Sequence, residues 1–174
     1  MTRDVHDRIR DYWDRDSDTY DETRSHAISD PLEASAWRQA LADALPEPGS
    51  KVLDVGAGTG ALSLLAAELG YEVTALDLSP GMLGRAELKA RERGLEERMR
   101  FVVGSGTDAP EGPFDAVMER QPSPVPLIDA VYEAGWSAVR IRRLRDVEWA
   151  AKLHEPWPLG SLEQRPRYTI VAGS

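Results

Sequence analysis

The sequence contains no cysteine. That absence removes disulfides, thiolate catalysis and cysteine-ligated metal or iron–sulfur centres together. Histidine is scarce too: His6, His26 and His154 are scattered along the chain, and a zinc site needs a clustered ligand set. No G-x-S-x-G elbow is present, so a serine hydrolase of the α/β type has no support. No run approaches the roughly 18 continuous apolar residues of a membrane span. The start, Met1-Thr2-Arg3-Asp4, leads into charged residues rather than an apolar signal core, which implies a cytoplasmic protein. Positive charge is in deficit, with 21 Lys+Arg against 30 Asp+Glu and a net charge of −9. A field of that sign repels phosphate backbones and argues against nucleic acid as a partner. Lysine is nearly missing, with only Lys51, Lys89 and Lys152. The one basic cluster, Arg140, Arg142, Arg143 and Arg145, reads as a solvated strand face.

What is present fits one domain of 174 residues, enough to bury a core without staples. Asp4 to Tyr12 predicts a helix with Val5, Ile9 and Tyr12 or Trp13 on one side, and residues 14 to 30 read as a mobile loop. Asp30 and Pro31 form an N-cap and first helical position for a helix to about Leu45, stopped by Pro46 and Pro48. From Lys51 the chain alternates. Strands are expected at 51–55, 71–77, 100–103, 114–118, 138–144 and 168–172. Helices are expected at 61–69, from Pro80 to Gly94, at 125–134 and at 147–153. Glu87 and Arg91, four apart, support the helix begun at Pro80. This alternation predicts an α/β, doubly wound, mostly parallel sheet with helices on both faces. A helical N-terminal segment, 1–48, precedes an α/β core, 49–174.

The informative segment is Val52-Leu53-Asp54-Val55-Gly56-Ala57-Gly58-Thr59-Gly60-Ala61, a strand, a glycine loop and a helix start. Glycines allow a tight turn and close approach of a ligand, and the helix N-terminus adds amide donors. Asp77 ends the next strand, where a carboxylate can take both hydrogens of a ribose diol. Gly56, Gly58 and Ala61 also satisfy the dinucleotide pattern G-x-G-x-x-A, so the glycines alone do not choose the cofactor.

Val52 to Gly60 resembles the first motif of class I S-adenosylmethionine-dependent methyltransferases. Ala75-Leu76-Asp77-Leu78-Ser79-Pro80-Gly81-Met82-Leu83 resembles their second, and Phe114 to Arg120 their fourth. The likeness is to bacterial small-molecule enzymes of the ubiquinone-biosynthesis type. It implies a Rossmann-like fold, S-adenosylmethionine as cofactor and a small-molecule methyl acceptor. By position, Asp54 and the loop Gly56, Ala57, Gly58 and Gly60 would hold the methionine part of the cofactor. Asp77 would hold its ribose, and Leu78 and Met82 would cover the adenine. Glu119 would line the methionine end or the sulfonium. Tyr20 resembles a lid residue that closes over the cofactor.

The resemblance breaks in two places. Ser105, followed by Gly106, stands where relatives often carry an acid that bonds the adenine amino group, and a neutral hydroxyl makes roughly half as strong a bond. Asp108 would compensate only from a folded-back loop. After Glu119 the chain runs almost directly into the helix expected at 125–134, so one internal βα unit of the family fold is missing. Closing the sheet then requires the final hairpin beside the fourth strand, in the order 3-2-1-4-6-5, or pairing with a second copy as a homodimer or by strand exchange. The same loss motivates the rival reading: a degenerate fold that binds cofactor or a partner chain without transfer, or that runs another reaction. Glu119, His26 and His154 are the candidate general bases, and no motif singles one out. No metal site is expected.

Overall fold

Trp37, on the second helix, is fully buried in the main core, the same cluster that holds Val52 of the strand leading into the glycine loop. The computed structural model describes residues 5–23, 26–106, 109–119, 137–143 and 168–173. In chain order the elements are α1 (Val5–Asp16), a 3₁₀ turn (Tyr20–Glu22), α2 (Pro31–Ala44), β1 (Lys51–Val55), α3 (Ala61–Glu68) and β2 (Glu72–Asp77). There follow α4 (Pro80–Glu92), a second 3₁₀ turn (Glu96–Arg98), β3 (Met99–Val103), β4 (Ala116–Met118), β5 (Ser137–Arg143) and β6 (Tyr168–Gly173).

Strands β1 to β4 form one parallel sheet in the order β3-β2-β1-β4. Alternation along each strand sorts side chains to two faces. Val52, Val73, Met99, Ala116 and Met118 join the main core with Trp37 and Leu41 of α2 and Leu62, Leu64 and Leu65 of α3. Leu53, Leu76 and Val117 form a second buried cluster on the opposite face. The described helices α2, α3 and α4 pack on the first face; the helices expected at 125–134 and 147–153 lie outside the described residues. β5 and β6 pair antiparallel, and β6 runs beside β4. β6 thus lies beside β4 as expected, but among the described residues β5 and β6 form their own two-stranded sheet and are not joined into the single order 3-2-1-4-6-5.

The local signals explain most boundaries. Asp30 caps α2 by accepting from the amides of Leu32 and Glu33. Ser79 caps α4 through the amide of Met82, with Pro80 in its first turn. Gly70 and Gly94 close α3 and α4 in left-handed conformations, φ 98° and 66°. Asp115 fixes the register of β4: its amide donates to the Lys51 carbonyl at 2.8 Å, and its Oδ2 accepts from the Lys51 amide at 2.8 Å.

One expectation is overturned. Residues 14 to 30 are not a loop throughout. α1 continues to Asp16, and Tyr20–Glu22 form a 3₁₀ turn. The apolar stripe of α1 also does not enter the core: Val5, Ile9 and Tyr12 are exposed. Polar contacts to the core, not apolar burial, order this stretch.

Candidate functional site

At the carboxyl end of β1 the chain turns through Gly56, Gly58 and Gly60, all left-handed at φ 67°, 56° and 82°. Glycine reaches this region without the steric penalty of a Cβ. The loop is tied down by the Ala57 amide on the Leu76 carbonyl (3.0 Å) and the Gly60 amide on the Ala57 carbonyl (2.9 Å). At Gly60 an added Cβ would stand 2.9 Å from the Ala86 Cβ, so α3 and α4 approach more closely there than any side chain allows. At Gly56 and Gly58 the same atom would meet no described atom within 4 Å. That side of the loop is an open cradle.

Three carboxylates surround the cradle. Asp54 is opposite Met118 in the β1–β4 register, so Glu119 is the next residue beyond. Val55 is opposite Leu76, so Asp77 lies just past it on the other side. Adjacent strand ends thus present Asp77, Asp54 and Glu119 together. Asp54 is buried (2% exposed), and its Oδ2 accepts from the Ser63 hydroxyl of α3 at 2.5 Å. Burial above all, and then the charges of Asp77 and Glu119, push its carboxyl up to about 7 against the pull of the Ser63 bond. Among the described residues no group of three His, Asp or Glu is placed to hold a metal ion. Asp77 and Glu119 act on Asp54 through their charge.

Asp77 does more than end a strand. Its Oδ2 accepts from the Gly58 amide (2.8 Å) and its Oδ1 from the Ser79 amide (2.9 Å), joining the glycine loop to the β2–α4 turn. The amide at Gly58, which in a dinucleotide site would face a pyrophosphate, is already satisfied by an acid. Leu78 is half-buried, and Met82 is buried (2%) in the first turns of α4. Ser105 is half-buried after β3, and Gly106 is packed so that a Cβ would come within 3.0 Å of Val55 Cγ1.

Tyr20 stacks on His26 with ring centroids 4.1 Å apart and meets Trp13 edge-on at 5.9 Å. The His26 Nδ1 is 3.0 Å from the Tyr20 carbonyl. These aromatics belong to the N-terminal segment, whose neighbour Asp21 bonds the glycine loop at Thr59. His154 and Asp108 lie outside the described residues.

Sequence reasoning did not single out Asp14, Asp21, Thr59, Ser63 or Lys89 as site residues. Ser63 had a signal, being the one polar side chain in the apolar run Ala61 to Ala67. Asp14 and Asp21 had none, because their partners Ser79, Gly81, Thr59 and Lys89 are distant in sequence. A separate cavity of about 330 Å³ lies at the amino ends of the strands, lined by Lys51, Thr74, Arg100 and Phe114 among others. Ligands of open parallel sheets bind outside the carboxyl ends. The glycine cradle is at that end and the cavity is not.

Residues 52–133 match the family model described as a methyltransferase domain. The ubiquinone biosynthesis O-methyltransferase of Xanthomonas campestris is 36% identical over 127 residues, 68% of this chain and 49% of that protein. The demethylmenaquinone methyltransferase of Thermus thermophilus is 40% identical over 84 residues, 47% of this chain and 38% of that protein. The chain thus spans about half or less of the length of these relatives. Magnesium protoporphyrin IX methyltransferase from Synechocystis, solved with S-adenosylmethionine bound, superposes with a TM-score of 0.62 over 99% of both chains. At 16% identity that likeness concerns the fold.

Proposed function

We propose that this chain, which carries a class I methyltransferase domain with a Rossmann-like fold, binds S-adenosylmethionine at the glycine cradle and directs its methyl group to a small-molecule acceptor. The observation that carries the reading is the trio Asp54, Asp77 and Glu119 at the mouth of an open glycine loop. Negative charge gathered beside Asp54, whose own proton a cation would displace, favours a cationic guest. S-adenosylmethionine brings an ammonium and a sulfonium, which the acceptors gathered here suit.

The roles follow from placement. Asp54 and the loop Gly56 to Gly60 hold the amino-acid end. Asp77 has lone pairs beyond those used by Gly58 and Ser79, and these accept from the ribose hydroxyls. Leu78 and Met82 bound the adenine, with Ser105 and Gly106 at its edge. Glu119 places negative charge toward the sulfonium, and residues 1–48 act as the lid segment over the core 49–174. The bound cofactor supplies an already activated methyl group. The protein's task is then to align nucleophile, methyl and sulfur and to exclude water, while a hydroxyl acceptor gives up its proton to a base, for which Glu119 at the cradle is the described candidate. The names of the relatives make phenolic and quinol rings the first acceptors to try.

The test is isothermal titration of the full chain with S-adenosylmethionine, repeated with Asp77→Asn. Micromolar binding that weakens at least tenfold in the variant supports the reading. Heat-silent titration of the unaltered chain, together with no shift in its melting curve, overturns it.

A further inference from the structure

The N-terminal segment is fastened to the core almost wholly by polar contacts. No residue of α1 is buried, and among the described residues 5–23 only Ser17 is. Yet the segment reaches the core at two points seven residues apart. At the first, Asp14 Oδ1 accepts from the Ser79 hydroxyl and from the Gly81 amide, the latter at 2.9 Å. The approach is so close that a Cβ on Gly81 would stand 2.8 Å from Ser17 Oγ and 3.1 Å from Asp14 Oδ1. Arg85 supports this point by donating to the carbonyls of Ser17 (3.4 Å) and Asp18 (2.8 Å). At the second, Asp21 accepts from the Thr59 hydroxyl at 2.6 Å and pairs with Lys89 at 2.5 Å. The Lys89 ammonium also donates to the Thr59 carbonyl at 3.0 Å.

Both anchors are parts of the cradle. Thr59 follows Gly58 in the glycine loop, and Ser79 to Gly81 follow Asp77 in the β2–α4 turn. Two more carboxylates beside Asp54, Asp77 and Glu119 would be repelled unless compensated. Lys89 compensates Asp21, and the free amides at the amino end of α4 compensate Asp14. We infer that residues 14–21 form a strap coupled to cofactor occupancy, in which Asp14 and Asp21 are positioning residues. They hold the glycine loop and the β2–α4 turn in the receiving conformation without touching the cofactor. The inference rests on the cofactor reading above. Segments held by few buried contacts occupy the low end of local stability, so this strap opens readily. Coupling between two binding events is reciprocal: if the strap favours the receiving cradle, the cofactor favours the ordered strap.

The experiment is amide hydrogen exchange on the full chain with and without S-adenosylhomocysteine, alongside calorimetric titration of the same ligand. Asp14→Asn, Asp21→Asn and Gly81→Ala are compared with the unaltered chain. The expected result is slower exchange across 5–23 when ligand is present. Affinity should fall about tenfold in each variant, while exchange in β1 to β3 stays unchanged. Asp21→Glu, which keeps the charge for Lys89, should restore part of the loss; a purely structural defect would give no such rescue. If the unaltered chain binds ligand and exchange across 5–23 does not change, the coupling is wrong while the cofactor reading stands. If the Asp variants bind as tightly as the unaltered chain, the positioning role is wrong. If the unaltered chain binds nothing, the cofactor reading falls and the coupling with it. A variant that fails to fold leaves the comparison of liganded and free unaltered chain to decide.

Discussion

The hydroxyl of Ser63, in the first turn of α3, donates to Oδ2 of Asp54 at the end of β1 across a fully buried contact. The bond favours the charged carboxylate, but burial outweighs it and Asp54 titrates near 7 instead of 3.8. Between those values the unfolded chain has released the Asp54 proton and the folded chain has kept it. Stability therefore falls as pH rises from about 4 to about 7 and is flat in this group's contribution above that. The full cost is roughly 4 kcal/mol at most, since each pH unit crossed between the two values costs about 1.4 kcal/mol. Asp54→Asn removes the titrating group. Its melting temperature relative to the unaltered chain should rise between pH 5 and pH 8, measured by thermal denaturation without ligand. A constant difference across that range would mean that Asp54 is not held protonated.

The same carboxyl links cofactor binding to protons. A cationic ligand beside Asp54 favours its charged form, so binding below pH 7 must expel a proton. Affinity for S-adenosylmethionine should then weaken by up to about tenfold per pH unit as pH falls from 7 to 5. Titrations in buffers of different ionisation enthalpy should report close to one proton released at pH 6 and almost none at pH 8. Asp54→Asn should abolish the release. Proton uptake in place of release would contradict the arrangement.

How much of this was written in the sequence depends on how far each contact reaches. The parallel sheet was legible because buried strands and capped helices announce themselves within ten residues: Asp30 before Pro31, Ser79 before Pro80, Gly70 and Gly94 at helix ends. The Glu87–Arg91 pair, four apart on α4, forms as expected. The glycine loop and Asp77 were legible as a pair of strand ends. What was not legible is that Asp77 already bonds Gly58 and Ser79, because a carboxylate's choice among backbone amides is settled by the turn's geometry. The fastening of Asp14 and Asp21 was hidden for a different reason. Their partners are 38 to 68 residues away, and α1 buries nothing whose periodicity could have flagged it.

Gly58 and Gly60 separate cradle from packing within one loop. Both are left-handed, so alanine at either costs about 1–2 kcal/mol of backbone strain. Only at Gly60 does the new methyl also collide, 2.9 Å from Ala86, which adds about 1–3 kcal/mol of overpacking. Gly60→Ala should therefore lower the melting temperature clearly more than Gly58→Ala. Gly58→Ala should lose more cofactor affinity per degree of melting temperature lost, because its methyl enters the open side. Equal destabilisation by the two would show that α3 and α4 part easily at Ala86.

Glu68 joins three helices at the surface, accepting from Arg38 of α2 at 2.6 Å and from Arg93, just beyond α4, at 2.8 Å. Burial works to raise its carboxyl, but the bonds and charges of the two arginines prevail and hold it below the ordinary glutamate value. A lowered folded value means that stability is present above the unfolded pKa and lost as pH falls toward and through the folded one. The ends of both arginines remain solvated, so each pair is worth only about 0.2–1 kcal/mol and is screened by salt. Glu68→Gln should cost about 1 kcal/mol in denaturant melts at pH 7 and low salt. The cost should shrink at 1 M NaCl and at pH 3, while cofactor affinity stays unchanged, since the network lies away from the carboxyl ends of the strands. A loss that persists at high salt would assign Glu68 a packing role between α2 and α3 in place of an electrostatic one.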